Sequence, residues 1–369
     1  MPFTPIDVRL LASRVGDWLS SAGPESDVVV SCRVRLARNV EGYPFISRLD
    51  SEAAIEVCAR LKVSLLDARL DGETWWVPMV EAKPVLRLLL RERNLISRDL
   101  APAGQARQVV PGRAVAFGES ETVSVMVNEE DHLRLQAMAP GFDLDLAWQR
   151  AQVLDRYLEA RVPFTHTAKL GYLTGCPTNV GTGMRASVML HLPALGLVKS
   201  ELEKVFTAAQ RTGLAVRGMH GEGSRAAGDL YQISNQITLG RSESQLIDDL
   251  RSLVPEIIEF ERRVRLAIHE EHDGALRDRI SRSFGVLRTA RAMPTEAALA
   301  HLSNVRLGVH LGVFDDTSLA TVNELGVQVQ KGHIQALCGA DIDGDLLDAS
   351  ERDKARASWL RQRLGAQKN

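Results

Sequence analysis

The sequence predicts an α+β fold in which a mixed region of strands and helices, residues 1–253, precedes a helical C-terminal region, residues 254–369. Several short segments alternate apolar and polar residues, as half-buried strands do. These strands are not separated by regularly spaced helices, which argues against a parallel βαβ sheet. Beyond about Val254 the chain changes to long stretches rich in Arg and Glu, which indicate helices.

The first clear strand is predicted at residues 28–37, VVVSCRVRLA. Arg33 and Arg35 are two residues apart, so their side chains share one face of the strand and form a positive comb. If the two arginines stood alone, a solvated sheet face would be the more common interpretation. The preceding residues 1–21 mix Asp and Arg with apolar residues, which predicts an amphipathic helix and excludes a signal peptide.

Two amphipathic helices are predicted next, at residues 51–70 and 85–94, because their apolar residues recur at helical spacing. Trp75 and Trp76 lie between them and are expected to cover these helices or join the core. Residues 121–130, ETVSVMVNEE, alternate strictly and predict a strand that ends in an acidic cluster, Glu129 to Asp131, followed by His132 and Arg134.

Further helices are predicted at residues 143–162 and 200–212, the second opened by a Ser200–Glu203 capping box and closed by Gly213. Residues 217–229 hold four glycines and, ahead of the terminal Asp229, one acid, Glu222, and they precede a strand at 230–239. This composition predicts a mobile loop over a site. A strongly charged helix is expected at residues 350–364.

Composition narrows the class of protein. The 369 residues are 45% apolar and 25% charged, as in globular proteins, and the formal net charge of −2 gives no global attraction to nucleic acid or to an anionic membrane. The four cysteines contain no CxxC pair, which argues against a zinc site or a secreted disulfide framework and favours the reducing cytoplasm. No apolar run approaches the roughly 20 residues that a membrane span needs.

Residues 169–193, KLGYLTGCPTNVGTGMRASVMLHLP, have the composition of a site. Cys176 lies in a turn of glycines, Pro177 and Asn179, and Arg185 follows before an apolar strand-like run. Glycines allow backbone N–H groups to approach a ligand, and a thiol beside a cation has a lowered pKa. For a lone cysteine, a buried structural role would be the preferred alternative.

The chain contains neither a GxxxxGK(S/T) phosphate loop nor the HRD and DFG motifs of eukaryotic protein kinases. If the protein is a kinase, it must therefore bind phosphates in another way. Arginine forks can bind phosphate oxygens bidentately and neutralise the charge of a phosphoryl group in transfer.

Four segments together resemble the guanidino-phosphotransferase (phosphagen kinase) family and occur in the family's order: SCRVRLARN, NEEDHLR, CPTNVGTGMRAS and RGMHGE. The resemblance covers nearly the whole chain. It implies an antiparallel sheet flanked by helices, with ATP and Mg²⁺ as cofactors. Magnesium would be held chiefly by nucleotide oxygens and water, so no protein ligand is expected.

By the same resemblance, the residues with predicted roles fall on matching positions. The guanidinium-binding carboxylates are Glu130 and Glu222, and the reactive cysteine is Cys176. The nucleotide-binding positions are Ser31, Cys32, Arg33, Val34, Arg35, Arg134, Arg185, Ala186, Ser187, Val188, Met189, Arg217, Gly218, Met219, His220 and Gly221. Two departures, Arg225 and Asn94, bear on the loop's resting position and on nucleotide affinity.

Within the family, the first signature begins at Ser31, without the long N-terminal domain of small-metabolite kinases, so an open site is expected. RASVMLHLPAL and the motif RDxxRA are similar to those of bacterial protein-arginine kinases. That resemblance implies a second, allosteric phosphoarginine site at Arg352, Asp353, Arg356 and Ala357. It also implies arginine-bearing protein substrates marked for an ATP-dependent protease, with an activator protein and a homo-oligomer as further candidates.

Two other interpretations stay open from the sequence. One is a kinase of free arginine or another small guanidine. The other is a phosphoarginine-binding adaptor with vestigial catalysis, against which the intact Glu130, Glu222 and Cys176 argue.

Overall fold

The computed structural model describes residues 6–100, 111–218, 227–314, 317–338 and 346–365. Its strands are β1 (Val29–Arg38), β2 (Thr74–Pro78), β3 (Ala114–Gly118), β4 (Val123–Val127), β5 (Leu133–Pro140), β6 (His166–Thr167), β7 (Gly171–Tyr172), β8 (Met184–His191), β9 (Leu214–Gly218) and β10 (Leu230–Asn235). Eight of them form one sheet in the order β2-β3-β4-β5-β1-β8-β10-β9, and β6 and β7 form a separate hairpin. All neighbours in the large sheet are antiparallel.

Helices pack around this sheet and continue into the C-terminal region, as the predicted α+β class requires. They are α1 (Val8–Ser13), α2 (Ser51–Ala68), α3 (Pro84–Glu92), α4 (Leu144–Glu159), α5 (Pro193–Leu197), α6 (Lys199–Arg211), α7 (Glu243–Thr289), α8 (Thr295–His310), α9 (Leu319–Gln328), α10 (Lys331–Cys338) and α11 (Ala349–Gly365). In the described ranges, none of them is long and apolar enough to cross a membrane.

The two faces of the sheet have different partners. Cys32, Val34 and Leu36 of β1 point into the main hydrophobic core, which residues of α2, α4, α6 and α7 complete. The valines of β4 enter this same core, while Met126 points the other way into a second core with α1, α3 and α10. The alternation predicted for β4 is confirmed, and the polar face of β1, β5 and β8 is left for a site.

Two predicted helices differ in detail. The prediction of a capping box at Ser200 and Glu203 is wrong. Helix α6 begins at Lys199, and its N-cap residue, Val198, makes no side-chain capping hydrogen bond. The reason is that α5 leads directly into α6, and the Val198 N–H is already bonded to the α5 carbonyls of Ala194 and Leu195. The N-terminal helix is shorter than predicted because α1 ends at Ser13 and the Asp17 N–H donates to the Ser120 carbonyl.

Strand β10 and helix α7 also have bounds that the sequence did not indicate. β10 ends at Asn235, whose side chain bonds the backbone of β8 at Ala186 and Met184. α7 starts at Glu243 behind a Ser242–Gln245 capping box and runs for 47 residues, with a non-helical residue at His272. Residues on both sides of position 253 pack in the main core, so the division between residues 1–253 and 254–369 falls inside a helix and stays a prediction.

Candidate active site

Five arginines lie on one face of the sheet. Arg35 of β1 is directly opposite Arg185 of β8 and Gln136 of β5, and Arg134 is two residues before Gln136. Arg217 of β9 is opposite Gln232 of β10, whose next partner is Met189 of β8. Because cross-strand partners share a face, these pairings place Arg33, Arg35, Arg134, Arg185 and Arg217 on the same side. Ser31, Ser187 and Met189 share that side.

The intervening residues of the predicted nucleotide segments face the other way. Cys32, Val34, Ala186 and Val188 are fully buried in the main core. Their side chains lie on the face opposite the arginines, and the assignment of these positions to nucleotide binding stays a prediction. Gly218 ends β9 opposite Tyr231. Met219, His220, Gly221 and Glu222 lie outside the described residues.

The arginine face carries unbalanced positive charge. Burial, together with the cations Arg134 and Arg185, lowers the pKa of Arg33 to about 10. Burial and neighbouring arginines also lower the pKa of Arg35, and its buried Nε has no hydrogen-bond partner among the described residues. Buried cations that repel one another and keep an unpaired donor suit a polyanionic ligand such as a nucleotide phosphate chain.

The acidic cluster forms a tight turn between β4 and β5. The carboxylate of Glu129 lies 2.6 Å from Arg134 Nη1 and accepts a 2.9 Å hydrogen bond from the Glu130 N–H. Glu130 lies 2.5 Å from Arg134 Nη2, and its side chain is 40% exposed. A guanidinium therefore already rests against the carboxylate that is predicted to receive the substrate's guanidinium.

The cysteine loop packs against this acidic turn. Gly175 N–H donates to Asp131 Oδ1 at 2.6 Å, and a Cβ on Gly175 would lie only 2.7 Å from the Glu130 carbonyl. This glycine thus allows close packing of two chain segments, and it brings the adjacent Cys176 beside Glu130. The Cys176 thiol is half-buried and lies 3.0 Å from Thr178 Oγ1.

Arg185 lies between the cysteine loop and the other arginines. Burial and the cations Arg217 and Arg134 lower its pKa, while Cys176 and Glu130 act in the opposite direction. A cavity of about 810 Å³ opens on the other side of Arg33 and Arg35, between the sheet and helices α8 and α9. Across this face of the sheet, a cavity large enough for a nucleoside is followed by the arginines and then by Glu130 and Cys176.

No cluster of three or more His, Cys, Asp or Glu side chains in the described parts of the chain is arranged to hold a metal ion. Magnesium held chiefly by nucleotide oxygens and water stays a prediction.

The predicted phosphoarginine motif lies on α11. Arg356 is 1% exposed, and its guanidinium donates to the Val329 carbonyl at 2.6 Å, to the Met293 carbonyl at 2.7 Å and to Asp353 at 2.6 Å. Arg352 is half-exposed and donates to the Leu347 carbonyl, and Ala357 is buried in the helical core. The motif is thus assembled, but Arg356 is already engaged in holding the helices together.

Comparison with known proteins agrees with this geometry. The family model of the ATP:guanido phosphotransferase C-terminal catalytic domain matches residues 59–264, and that of the protein-arginine kinase McsB C-terminal domain matches residues 273–369. The chain belongs to the bacterial protein-arginine kinases. The protein-arginine kinase of Halothermothrix orenii is 42% identical over 96% of this chain and 98% of its own length. The protein-arginine kinase of Bacillus subtilis is 40% identical over 98% of this chain and 96% of its own length.

Solved structures support the fold of the kinase family. The duplicated taurocyamine kinase of Schistosoma mansoni, with bound transition-state analogue components, matches 71% of this chain with a TM-score of 0.59 and 29% identity. The chain spans only 36% of that duplicated protein. The match to lombricine kinase covers 72% of this chain and 72% of that protein, with a TM-score of 0.57. At 24% identity, it supports the fold alone.

Several residues of this kinase site had no predicted role. Asp131 is fully buried, and its Oδ1 accepts a hydrogen bond from Asn39 at 2.6 Å as well as from Gly175. It therefore joins the end of β1, the acidic turn and the cysteine loop. Asn39 and Asp131 both lie inside the matched segments SCRVRLARN and NEEDHLR, which was the available signal. Ser97, which bonds Glu129, lies in none of the four segments.

Proposed function

We propose that this protein-arginine kinase transfers the γ-phosphoryl group of ATP to arginine side chains of proteins at the site between Arg185, Glu130 and Cys176. The observation that carries the proposal is the order of the groups. The nucleoside would occupy the 810 Å³ cavity, and the arginine face would hold the phosphates. The terminal phosphate would then lie beside Arg185, which is paired with Arg35 across the sheet, and next to the carboxylate proposed to receive the substrate.

The chemistry requires a carboxylate at that point. A guanidinium is protonated at ordinary pH and has no free nitrogen lone pair, so a base must remove a proton as the nitrogen attacks phosphorus. Glu130 would bind the substrate's guanidinium, align it with the γ-phosphate and accept this proton. Glu222 would bind the same guanidinium as the second carboxylate. Cys176 would orient the guanidinium electrostatically without becoming phosphorylated. Positioning supplies most of the catalysis in phosphoryl transfer.

Kinase-family membership implies ATP as the phosphoryl donor, and we include Mg²⁺ in the proposal. Arg33, Arg35, Arg134, Arg185 and Arg217 would bind the phosphate oxygens, and the magnesium ion would neutralise further charge on the same oxygens. Arg35 is the best-supported member, because its buried Nε has no partner among the described residues.

The cellular role extends the proposal. The modified proteins would be marked for an ATP-dependent protease, and an activator protein and a homo-oligomer would be further partners. A reducing cytoplasm is the proposed location, since all four cysteines are free thiols.

The decisive experiment replaces Glu130 with Gln, which keeps the shape and removes the negative charge. Loss of one transition-state electrostatic contact typically lowers the rate by about 10²- to 10³-fold. We expect Glu130→Gln to lose protein phosphorylation to this extent while still binding a nonhydrolysable nucleotide. Acid-sparing mass spectrometry and isothermal titration measure the two properties. Normal turnover in Glu130→Gln would place the active site elsewhere.

Cys176→Ala provides a complementary test of mechanism. Because the thiol is proposed to act electrostatically, this variant should keep measurable activity, and no phosphorylated cysteine should accumulate in the parent enzyme. Complete inactivity of Cys176→Ala, together with a thiophosphate trapped on Cys176 of the parent enzyme, would indicate covalent catalysis instead.

A further inference from the structure

We propose that Glu92 and Ser97 are positioning residues that tie the docking of helix α10 to the geometry of the catalytic turn. Both line the cavity proposed for the nucleoside, but neither touches the groups that react. Both would act through Glu129 on Arg134 and Glu130. The inference rests on the proposed function, because it takes the turn with Glu130 as the catalytic one.

The first step is the docking of α10 on α3. Glu92, the last residue of α3, accepts hydrogen bonds from the N–H groups of Gly332 at 2.7 Å and His333 at 3.1 Å, and from His333 Nδ1 at 2.9 Å. The side chains of Glu92 and His333 are 5% and 0% exposed. A Cβ on Gly332 would lie 2.6 Å from Leu88 Cβ, so the two helices are in backbone contact. The position of α3's end is therefore fixed by α10.

The second step is the segment that leaves α3. Asn94 has a left-handed backbone, with φ at 60°, and its carbonyl accepts a 2.7 Å hydrogen bond from Gln136 on the arginine face. Ser97 Oγ donates to Glu129 Oε1 at 2.5 Å, and the Ser97 N–H lies 3.2 Å from the sulfur of Met126. A segment of six residues, 92–97, thus reaches from α10 to the catalytic turn.

The third step is the role of Glu129. Its side chain is fully buried, and it binds the Arg134 guanidinium and the Glu130 N–H at the same time. Ser97 supplies a further donor to this carboxylate. If that donor is lost, a buried carboxylate is left with incomplete hydrogen bonding and will reorient, which displaces Arg134 and Glu130.

The entry to α10, next to the residues that Glu92 binds, connects to the predicted regulatory motif. Arg356 of α11 donates to the carbonyl of Val329, three residues before Gly332. A ligand that altered α11 would therefore alter the entry to α10, and through Glu92 and Ser97 it would alter the catalytic turn. Such a path needs energetic coupling as proof, since spatial continuity alone does not demonstrate it.

The test compares Ser97→Ala, Glu92→Ala and the double variant in the full-length enzyme. Small misplacements of catalytic groups can reduce rates by about 10²-fold, so we expect each single variant to lose about 10- to 100-fold in kcat. KM for ATP should rise as well, because Arg134 is displaced and both residues line the cavity proposed for the nucleoside. Because both act along one path, the double variant should lose no more than the worse single variant. Ser97→Thr keeps the hydroxyl and should restore kcat.

Glu324→Ala is the matched control, because it removes a partly buried carboxylate of the helical region that bonds Gln328 and Arg363. It should keep the parent kcat. Thermal unfolding checks folding; if Glu92→Ala does not fold, the Ser97→Ala and Ser97→Thr pair carries the test. Parent-like kcat in Ser97→Ala, failure of Ser97→Thr to restore kcat, or multiplicative losses in the double variant would overturn the inference.

The Glu130→Gln variant separates this inference from the proposed function. A fully active Glu130→Gln would overturn both the inference and the proposed site. An inactive Glu130→Gln beside an active Ser97→Ala would overturn the inference alone.

Discussion

At the scale of single residues, the arginine face combines groups that binding needs and folding does not. Arg33 and Arg35 repel Arg134 and Arg185 across the sheet, and burial adds to this cost. The five arginines could be predicted from the sequence because they lie in recognisable segments. The contact of Ser97 with Glu129 could not, because 32 residues separate them and only the fold brings them together.

Arg35→Ala tests this conflict between binding and stability. The variant loses a guanidinium proposed to bind the nucleotide phosphates. Because hydrogen bonds to charged groups contribute about 1.5–3 kcal/mol, nucleotide affinity should fall by roughly 10- to 150-fold. The free energy of unfolding should stay the same or rise, because a half-buried cation that neighbouring arginines repel is removed. Isothermal titration with a nonhydrolysable nucleotide and urea denaturation measure the two effects. Unchanged nucleotide affinity would contradict the assigned role, and Arg161→Ala, which removes an exposed arginine just after α4, serves as control.

The Arg38–Asp155 pair has the opposite character, because it contributes to folding. Asp155 accepts two hydrogen bonds from Arg38, at 3.0 and 2.7 Å, and the Arg38 side chain is 2% exposed. Asp155→Ala would leave this guanidinium buried without its counter-charge, and breaking such a pair costs about 3–5 kcal/mol. Asp145→Ala, which removes the exposed partner of Arg251, should cost less than about 1 kcal/mol. Equal losses in urea denaturation would show that the pair contributes no more than a surface contact.

At the scale of elements, bounds were predictable where the local sequence pattern decided them, as apolar periodicity did for α2 and the density of charged residues did for α11. They were not predictable where a tertiary contact decided them. α6 begins without its predicted capping box because α5 supplies the partners of Val198. β10 ends at Asn235 because its side chain bonds β8. In both cases the deciding partner lies on another element, which local sequence patterns cannot show.

Helix α11 gives a prediction that separates structure from ligand binding. Arg356→Ala removes the donor to two buried carbonyls, so it should lower the free energy of unfolding by at least about 1–3 kcal/mol. Arg352 is less enclosed, so Arg352→Ala should weaken phosphoarginine binding by about 10-fold or more with little change in stability. Isothermal titration of phosphoarginine and thermal unfolding distinguish the two, with Lys354→Ala, exposed on the same helix, as control. Unchanged phosphoarginine binding in Arg352→Ala would leave the motif as a structural element.

At the scale of the whole molecule, the catalytic turn, the cysteine loop and the arginine face come from segments up to 184 residues apart, Arg33 to Arg217. The sequence predicted these groups but not the way in which they are held. Asp131 joins β1, the acidic turn and the cysteine loop, and Glu92 joins α3 to α10. Both are buried carboxylates that link distant segments, so each becomes recognisable only once the fold is known.

The openness of the assembled site decides the final prediction, which concerns substrate choice. Glu130 is 40% exposed, so among the described residues its carboxylate is reachable from the surface. An arginine side chain can enter there while its polypeptide backbone stays outside, and contacts along that backbone add binding that free arginine lacks. We expect kcat/KM to fall from an unfolded arginine-bearing protein to N-acetylarginine amide and then to free arginine. The blocked amino acid is the matched control, because it removes the terminal charges of arginine without adding neighbouring residues. Parallel assays with ATP and acid-sparing mass spectrometry give the order, and efficient turnover of free arginine without protein modification would assign the site to a small guanidine.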